Sequence, residues 1–222
     1  MGPRPWIREV SGNVASWELW VQWVRASHNG NPRGGPALAS RDMELTIAVF
    51  GASRSAEGDG HYEAATRCGR LLAHAGFAVA TGGYSGAMEA VSRGAKDAGG
   101  HVVGVTAPSV FPDRARANDH LTTETPAASL VERIGLLADG TAGSIALWGS
   151  LGTAAELIVA WNLAYVAPFS NANPKPIIAV GEPWISLIPH LETELSTTPG
   201  LVTTVGNVDV AVQEMVRRLS IK

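Results

Sequence analysis

Three times in this chain a short apolar run ends in a glycine- or serine-rich turn and then gives way to a helical pattern. Leu45 to Phe50 is a strand-like run, and Gly51-Ala52-Ser53-Arg54-Ser55 is its exit loop. Phe77-Ala78-Val79-Ala80-Thr81 is the second, followed by Gly82-Gly83-Tyr84-Ser85-Gly86 and a helix opening at Ala87-Met88-Glu89-Ala90-Val91. The third is Ser144 to Leu147, then Trp148-Gly149-Ser150-Leu151-Gly152-Thr153, then a helix through Ala154 to Ala160. Strands that each lead through a tight turn into a helix pair in parallel, with the helices covering the sheet. The turns then gather at the carboxyl ends of the strands, the edge where open α/β sheets bind ligands.

The third turn constrains chemistry as well as fold. A glycine-rich turn at a helix start aims backbone N–H groups and the positive end of the helix dipole at one spot, which suits an anion. Glu156 is expected in the first turn of that helix, beside the anion. A phosphate cradle with an adjacent carboxylate points to chemistry on a phosphorylated small molecule. Taken alone, Glu156 also matches an acid that merely stabilises a helix start.

From residue 43 onward, strands are expected at 45–50, 77–81, 101–105, 144–148, 176–180 and 201–205. Helices are expected near 60–75, 86–98, 126–138, 152–165, 184–196 and 208–219, with 106–120 as a loop. Gly99-Gly100 closes the second helix, and Asn207 precedes the last, with Asp209 in its first turn. The expected fold is α/β: a doubly wound, Rossmann-like parallel sheet flanked by helices. Residues 1–42 differ in character. They hold Trp6, Trp17, Trp20 and Trp23 and end in a loop-like stretch from Asn29 to Pro36. Val14 to Arg25 has the spacing of one amphipathic helix, but Glu18, Gln22 and Arg25 interrupt any secretory signal core. The segment reads as a flexible or optional extension, with Met43 as the expected true start of a domain spanning 43–222; the other reading of its helix is a partner- or membrane-surface element.

Composition narrows the function classes. With 45% hydrophobic and 17% charged residues, the 222-residue chain can bury a full core. The net charge of −3 argues against general nucleic-acid binding. Cys68 is the single cysteine, so no internal disulfide framework exists, which fits a reducing, cytoplasmic setting. It is expected to be buried in the first helix. His28, His61, His74, His101, His120 and His190 make no metal-ligand spacing, and neither a metal nor a cofactor is expected. No apolar run approaches the roughly 20 residues of a membrane span.

Three stretches together resemble the LONELY GUY (LOG) family, many members of which carry the label "possible lysine decarboxylase". Gly82 to Val91, followed by Gly94-Ala95 and Gly99-Gly100, resembles the family's GGG-x-x-G-x-M-x-A-V…G-A…G-G segment. Gly149 to Glu156 resembles its P-G-G-x-G-T-x-x-E motif, and Gly51-Ala52-Ser53 its first-strand G-S-S loop. The resemblance covers about residues 45–220.

It implies a Rossmann-type, dimeric protein that hydrolyses the N-glycosidic bond of nucleoside 5′-monophosphates to free base and ribose 5-phosphate. The implied catalytic pair is Glu156 with Arg133, the arginine of Val131-Glu132-Arg133-Ile134 on the preceding helix. Arg133 would either hold the phosphate bidentately or orient the substrate and Glu156. Read without the family, it is equally a surface arginine paired with Glu132 or Asp139. Gly152 and Thr153 would bind phosphate by backbone N–H and hydroxyl, while Gly51, Ser53, Gly82, Gly83, Gly86, Met88, Gly149 and Ser150 complete the expected binding set. Met88 and Trp161 also read as core. Glu89 reads as a cap on its own helix in place of any chemical role.

The chain departs from the family pattern at several points. Trp148 stands at the motif proline, Ser150 at the second glycine, Tyr84 at the third glycine of the upstream turn, and Ile134 where a lysine usually follows the arginine. These changes narrow the pocket or alter its ligand. A non-catalytic nucleotide-binding or carrier protein of the same superfamily is the alternative. Decarboxylation would normally need pyridoxal phosphate on a lysine, and Lys96, Lys175 and Lys222 offer no plausible site. A homodimer is further expected because the apolar helix from Leu157 to Val166 is too apolar for a solvent face.

Overall fold

The computed structural model describes residues 46–112 and 116–219; the extension 1–42 and its expected helix lie outside them. Seven parallel strands form one sheet: β1 (Thr46–Phe50), β2 (Ala78–Thr81), β3 (Val102–Thr106), β4 (Thr123–Pro126), β5 (Gly143–Ala146), β6 (Ile177–Val180) and β7 (Val202–Val205). Their order across the sheet is β4-β3-β2-β1-β5-β6-β7. The chain builds outward from β1 to β4, returns to pair β5 with β1 (Ile47 beside Gly143, Phe50 beside Ala146), and then builds the other way. That reversal between β1 and β5 opens a crevice at the carboxyl ends of the strands.

The helices are α1 (Gly60–His74), α2 (Ala87–Asp97), α3 (Leu130–Ala138), α4 (Leu151–Val166), α5 (Trp184–Glu194) and α6 (Val208–Leu219); a 3-10 turn at Ala167–Ser170 follows α4. Strand side chains alternate between two faces. Ile47, Val49, Val79 and Ile145 pack with α1, α2 and α6, and Cys68 is fully buried among them. Ala48, Phe50, Ala80 and Ala146 pack with α3, α4 and α5. With both faces covered, the central strands carry the continuous apolar runs of a buried parallel sheet. On the first face α1 and α2 approach closely: a Cβ on Gly69 would lie 2.0 Å from the Val91 carbonyl oxygen, and one on Gly94 1.8 Å from that of Thr66.

Beyond shifts of one or two residues at element ends, one helix start and one strand differ from expectation. The stretch expected to open a helix at residue 126 is instead the end of β4, and α3 begins at Leu130. Thr-Glu-Thr-Pro buries only Thr125 and joins the sheet by main-chain pairing with β3, so it carries no apolar signature. Ser129 sets the start of α3 by accepting the Glu132 N–H at 3.1 Å, while the Glu132 carboxylate accepts the Ala128 N–H at 2.7 Å. Among the described residues, no helix is long and apolar enough to cross a membrane.

Candidate active site at the crevice

The cap on α3 determines where Arg133 points. Counting from Ser129, Arg133 and Leu137 lie one turn apart on the inner face and are buried, while Val131 faces solvent. The Arg133 guanidinium therefore lies under the strand ends. Its Nε donates to the Val105 carbonyl at 2.8 Å, Nη1 to Glu156 Oε1 at 3.1 Å, and Nη2 meets the Met88 sulfur at 3.7 Å. All three nitrogens have protein partners, so the surface pairing with Glu132 or Asp139 does not occur. The geometry suits an arginine that orients a carboxylate better than one that grips a phosphate.

Glu156 projects from the inner face of α4 and is 9% exposed. Because α4 starts at Leu151, Glu156 sits in its second turn, one turn deeper than expected. Burial pushes its carboxyl above the ordinary glutamate value, and the Arg133 charge and hydrogen bond only partly oppose that. The ion pair engages Oε1.

The turn that precedes α4 is open where an anion would sit. Ser150 is the N-cap, but its side chain makes no capping bond, so the first-turn amides receive no side-chain acceptor. A Cβ on Gly152 would meet nothing within 4 Å. Gly149, by contrast, folds onto Thr153, whose hydroxyl oxygen lies 2.0 Å from where a Gly149 Cβ would stand. Thr153 is 2% exposed, on the same face as Glu156.

The upstream turn forms the opposite wall. A Cβ on Gly82 would fall 1.6 Å from Arg133 Nη2 and 2.6 Å from the Met88 sulfur, so the guanidinium lies directly on this glycine. Gly83 (φ 75°) and Gly86 (φ 77°) adopt the left-handed region that side chains resist. Gly86 also packs onto the first loop, where its Cβ would be 2.5 Å from the Ser53 carbonyl carbon, and the Ser85 hydroxyl donates to the Ser53 carbonyl at 3.4 Å. Gly51 lies against the start of α2, a Cβ there being 2.7 Å from the Ala87 Cβ. Met88 is buried and acts as a prop beneath Arg133.

The two aromatic departures point to different places. Trp148 packs against the α1, α2 and α6 face and meets His61 in a tilted ring contact, centroids 4.0 Å apart. Tyr84 lies on the Arg133 side, its ring centroid 6.0 Å from the Arg133 Cζ. The residue spacing gives no sign that Tyr84 and the Val105 carbonyl join the site; only the substitution of a tyrosine for a glycine marks Tyr84 out. Among the described residues, no group of three or more histidine, cysteine, aspartate or glutamate side chains is arranged to hold a metal.

The model of the family described as SLOG cluster4 matches residues 44–182. The cytokinin riboside 5′-monophosphate phosphoribohydrolase of Mycobacterium tuberculosis is 31% identical over 142 residues, covering 64% of this chain and 72% of that protein. The molybdenum cofactor carrier protein of Chlamydomonas reinhardtii superposes with a TM-score of 0.62 at 25% identity, over 80% of this chain and 98% of that one. The molybdenum cofactor binding protein of Rippkaea orientalis superposes with a TM-score of 0.63 at 21% identity, over 79% and 97%.

Proposed function

The chain belongs to the SLOG cluster4 family, and from that premise we propose that it is a phosphoribohydrolase acting on nucleoside 5′-monophosphates. The observation that carries this reading is the buried Arg133–Glu156 pair directly behind an uncapped helix start. The phosphate binds the first-turn amides of α4 at Gly152. The ribose then faces Glu156, one turn along. Cleavage of the bond between C1′ and the base nitrogen develops positive charge on the sugar, which the Glu156 carboxylate stabilises while aligning a water. The water oxygen bonds to C1′, and its proton leaves with the base. A carboxylate whose proton affinity is raised by burial is the stronger base for that transfer. Arg133 is a positioning residue: tied to Val105 and Met88, it holds Glu156 in one orientation.

The relative from Mycobacterium tuberculosis supports this reading. A carrier protein that binds without turnover is the second reading. It is favoured by the 25% identical carrier from Chlamydomonas reinhardtii, matched over nearly its whole length. Incubating the full chain with AMP, other common nucleoside monophosphates and an N6-prenylated AMP, with E156Q alongside, separates the two. Base and ribose 5-phosphate released by the parent and lost in E156Q establish the hydrolase. Nucleotide bound without release establishes the carrier.

We also propose a homodimer built on the outer face of α4. Ile158 and Tyr165 are exposed there and, with Leu195, line a groove of about 250 Å³. Trp161, in the same groove, carries the one buried side-chain donor without a partner among the described residues. Cys68, its thiol pushed up to about 12 by burial, stays protonated and unreactive, as suits the cytoplasmic location we assign.

A further inference from the structure

By successive contacts, the site runs from the start of α4 at Gly152 to Glu156, then to Arg133 and then to Tyr84. A nucleoside 5′-monophosphate carries phosphate, ribose and base in a matching sequence. With the phosphate at the helix start and the ribose at Glu156, the base is directed toward Arg133 and Tyr84. This inference rests on the nucleotide site proposed above.

Tyr84 closes that end. Its side chain is 5% exposed. Its hydroxyl accepts the Ala107 N–H at 2.9 Å. That amide lies just past β3, at the strand-end edge where main-chain donors ordinarily meet ligands; here the chain's own phenol takes it. Phe111 packs edge-on against the ring at 5.8 Å. Asn118 locks the turn from outside, its amide donating to the Gly83 carbonyl at 2.9 Å and its side chain to the Tyr84 carbonyl at 3.1 Å. The ring is held from several directions and does not swing aside without breaking these contacts. A glycine at this position would leave its volume open.

We infer that Tyr84 determines specificity: it fills the room into which a substituent on the base would extend, so the site takes nucleotides with an unextended base. Calorimetric binding of AMP and of N6-isopentenyl-AMP to the full chain tests this, with every form carrying E156Q so that turnover does not interfere. With tyrosine in place, AMP is expected to bind at least tenfold more tightly. Y84F keeps the ring and is expected to keep the preference. Y84A and Y84L are expected to cut it to threefold or less by gaining affinity for the extended nucleotide, circular dichroism establishing that each is folded. Equal affinities with tyrosine in place overturn the inference without any variant. So does a preference that survives in a folded Y84A or Y84L. If folded protein binds neither nucleotide, the nucleotide reading itself fails and this inference falls with it; if both bind equally, only the role of Tyr84 fails.

Discussion

Arg133 Nη1 donates to Glu156 Oε1 at 3.1 Å, joining residues 23 positions apart on two helices that approach from one face of the sheet. Both residues are buried, at 6% and 9% exposure. The pair is the deepest charged feature of the crevice, and it sets the carboxylate between two opposed influences: burial, which favours its proton, and the guanidinium, which favours its charge.

Burial prevails, so the acid limb of kcat/KM is expected above pH 4.5, the ordinary glutamate value. The proposed hydrolysis needs the ionised carboxylate, so its rate should rise with pH through that limb. Replacing the arginine in R133M removes the charge that opposes burial and should move the limb higher still. A pH–rate profile of the parent and R133M on the same nucleotide checks both shifts.

The same burial leaves a mark on stability. Folded Glu156 keeps its proton to a higher pH than the unfolded chain does, so the folded state binds more protons between the two values. Its contribution to stability is therefore greatest below the unfolded value and falls as pH rises through that window. E156Q should flatten this part of the stability curve, read from thermal midpoints measured from the ordinary glutamate range upward in pH. An unchanged slope in E156Q would show that Glu156 is not the group responsible.

Removing Arg133 should destabilise as well as inactivate. Breaking a buried pair leaves the other charge uncompensated, a cost of about 3–5 kcal/mol. R133M should show this in urea denaturation. R133K keeps a charge but cannot serve Val105, Glu156 and Met88 together. It should recover more stability than activity.

Gly82 should tolerate no side chain. The Cβ of G82A would overlap the Arg133 guanidinium and must push it away from Glu156. Overpacking of this kind costs about 1–3 kcal/mol. Activity should fall further than that loss alone would give, because the pair itself is displaced. Wild-type turnover by a folded G82A would disprove the close approach.

The outer face of α4 should govern assembly. Charged substitutions at Ile158 and Tyr165, made together, should convert a dimer to a monomer in sedimentation at micromolar concentration. A parent chain already monomeric there would end the proposal.

Much of this was legible from residues. The central strands announce themselves by apolar runs, and Gly82, Gly86 and Gly149 mark the turns because only glycine fits where two segments touch. β4 was invisible because Thr123 to Pro126 bury one threonine and contribute only backbone. Glu156 was placed a turn too early because Leu151, exposed and adjacent to the turn, is already helical. The pairing of Arg133 with Glu156 came through family resemblance; no spacing rule brings two helices together on one face of the sheet. The anchoring of Arg133 on the Val105 carbonyl has no side-chain signature at all.

The strand that escaped detection also bears on how copies of this protein meet. β4 is an outer strand of the sheet. It has no N–H to offer at Pro126, and it carries the Glu124 carboxylate, which accepts the Thr106 hydroxyl at 2.7 Å. A neighbouring molecule seeking to add a strand there would find a missing donor and a charge in its path. On that side the sheet is guarded against the addition of a further strand, and with it against growth into a filament through that edge.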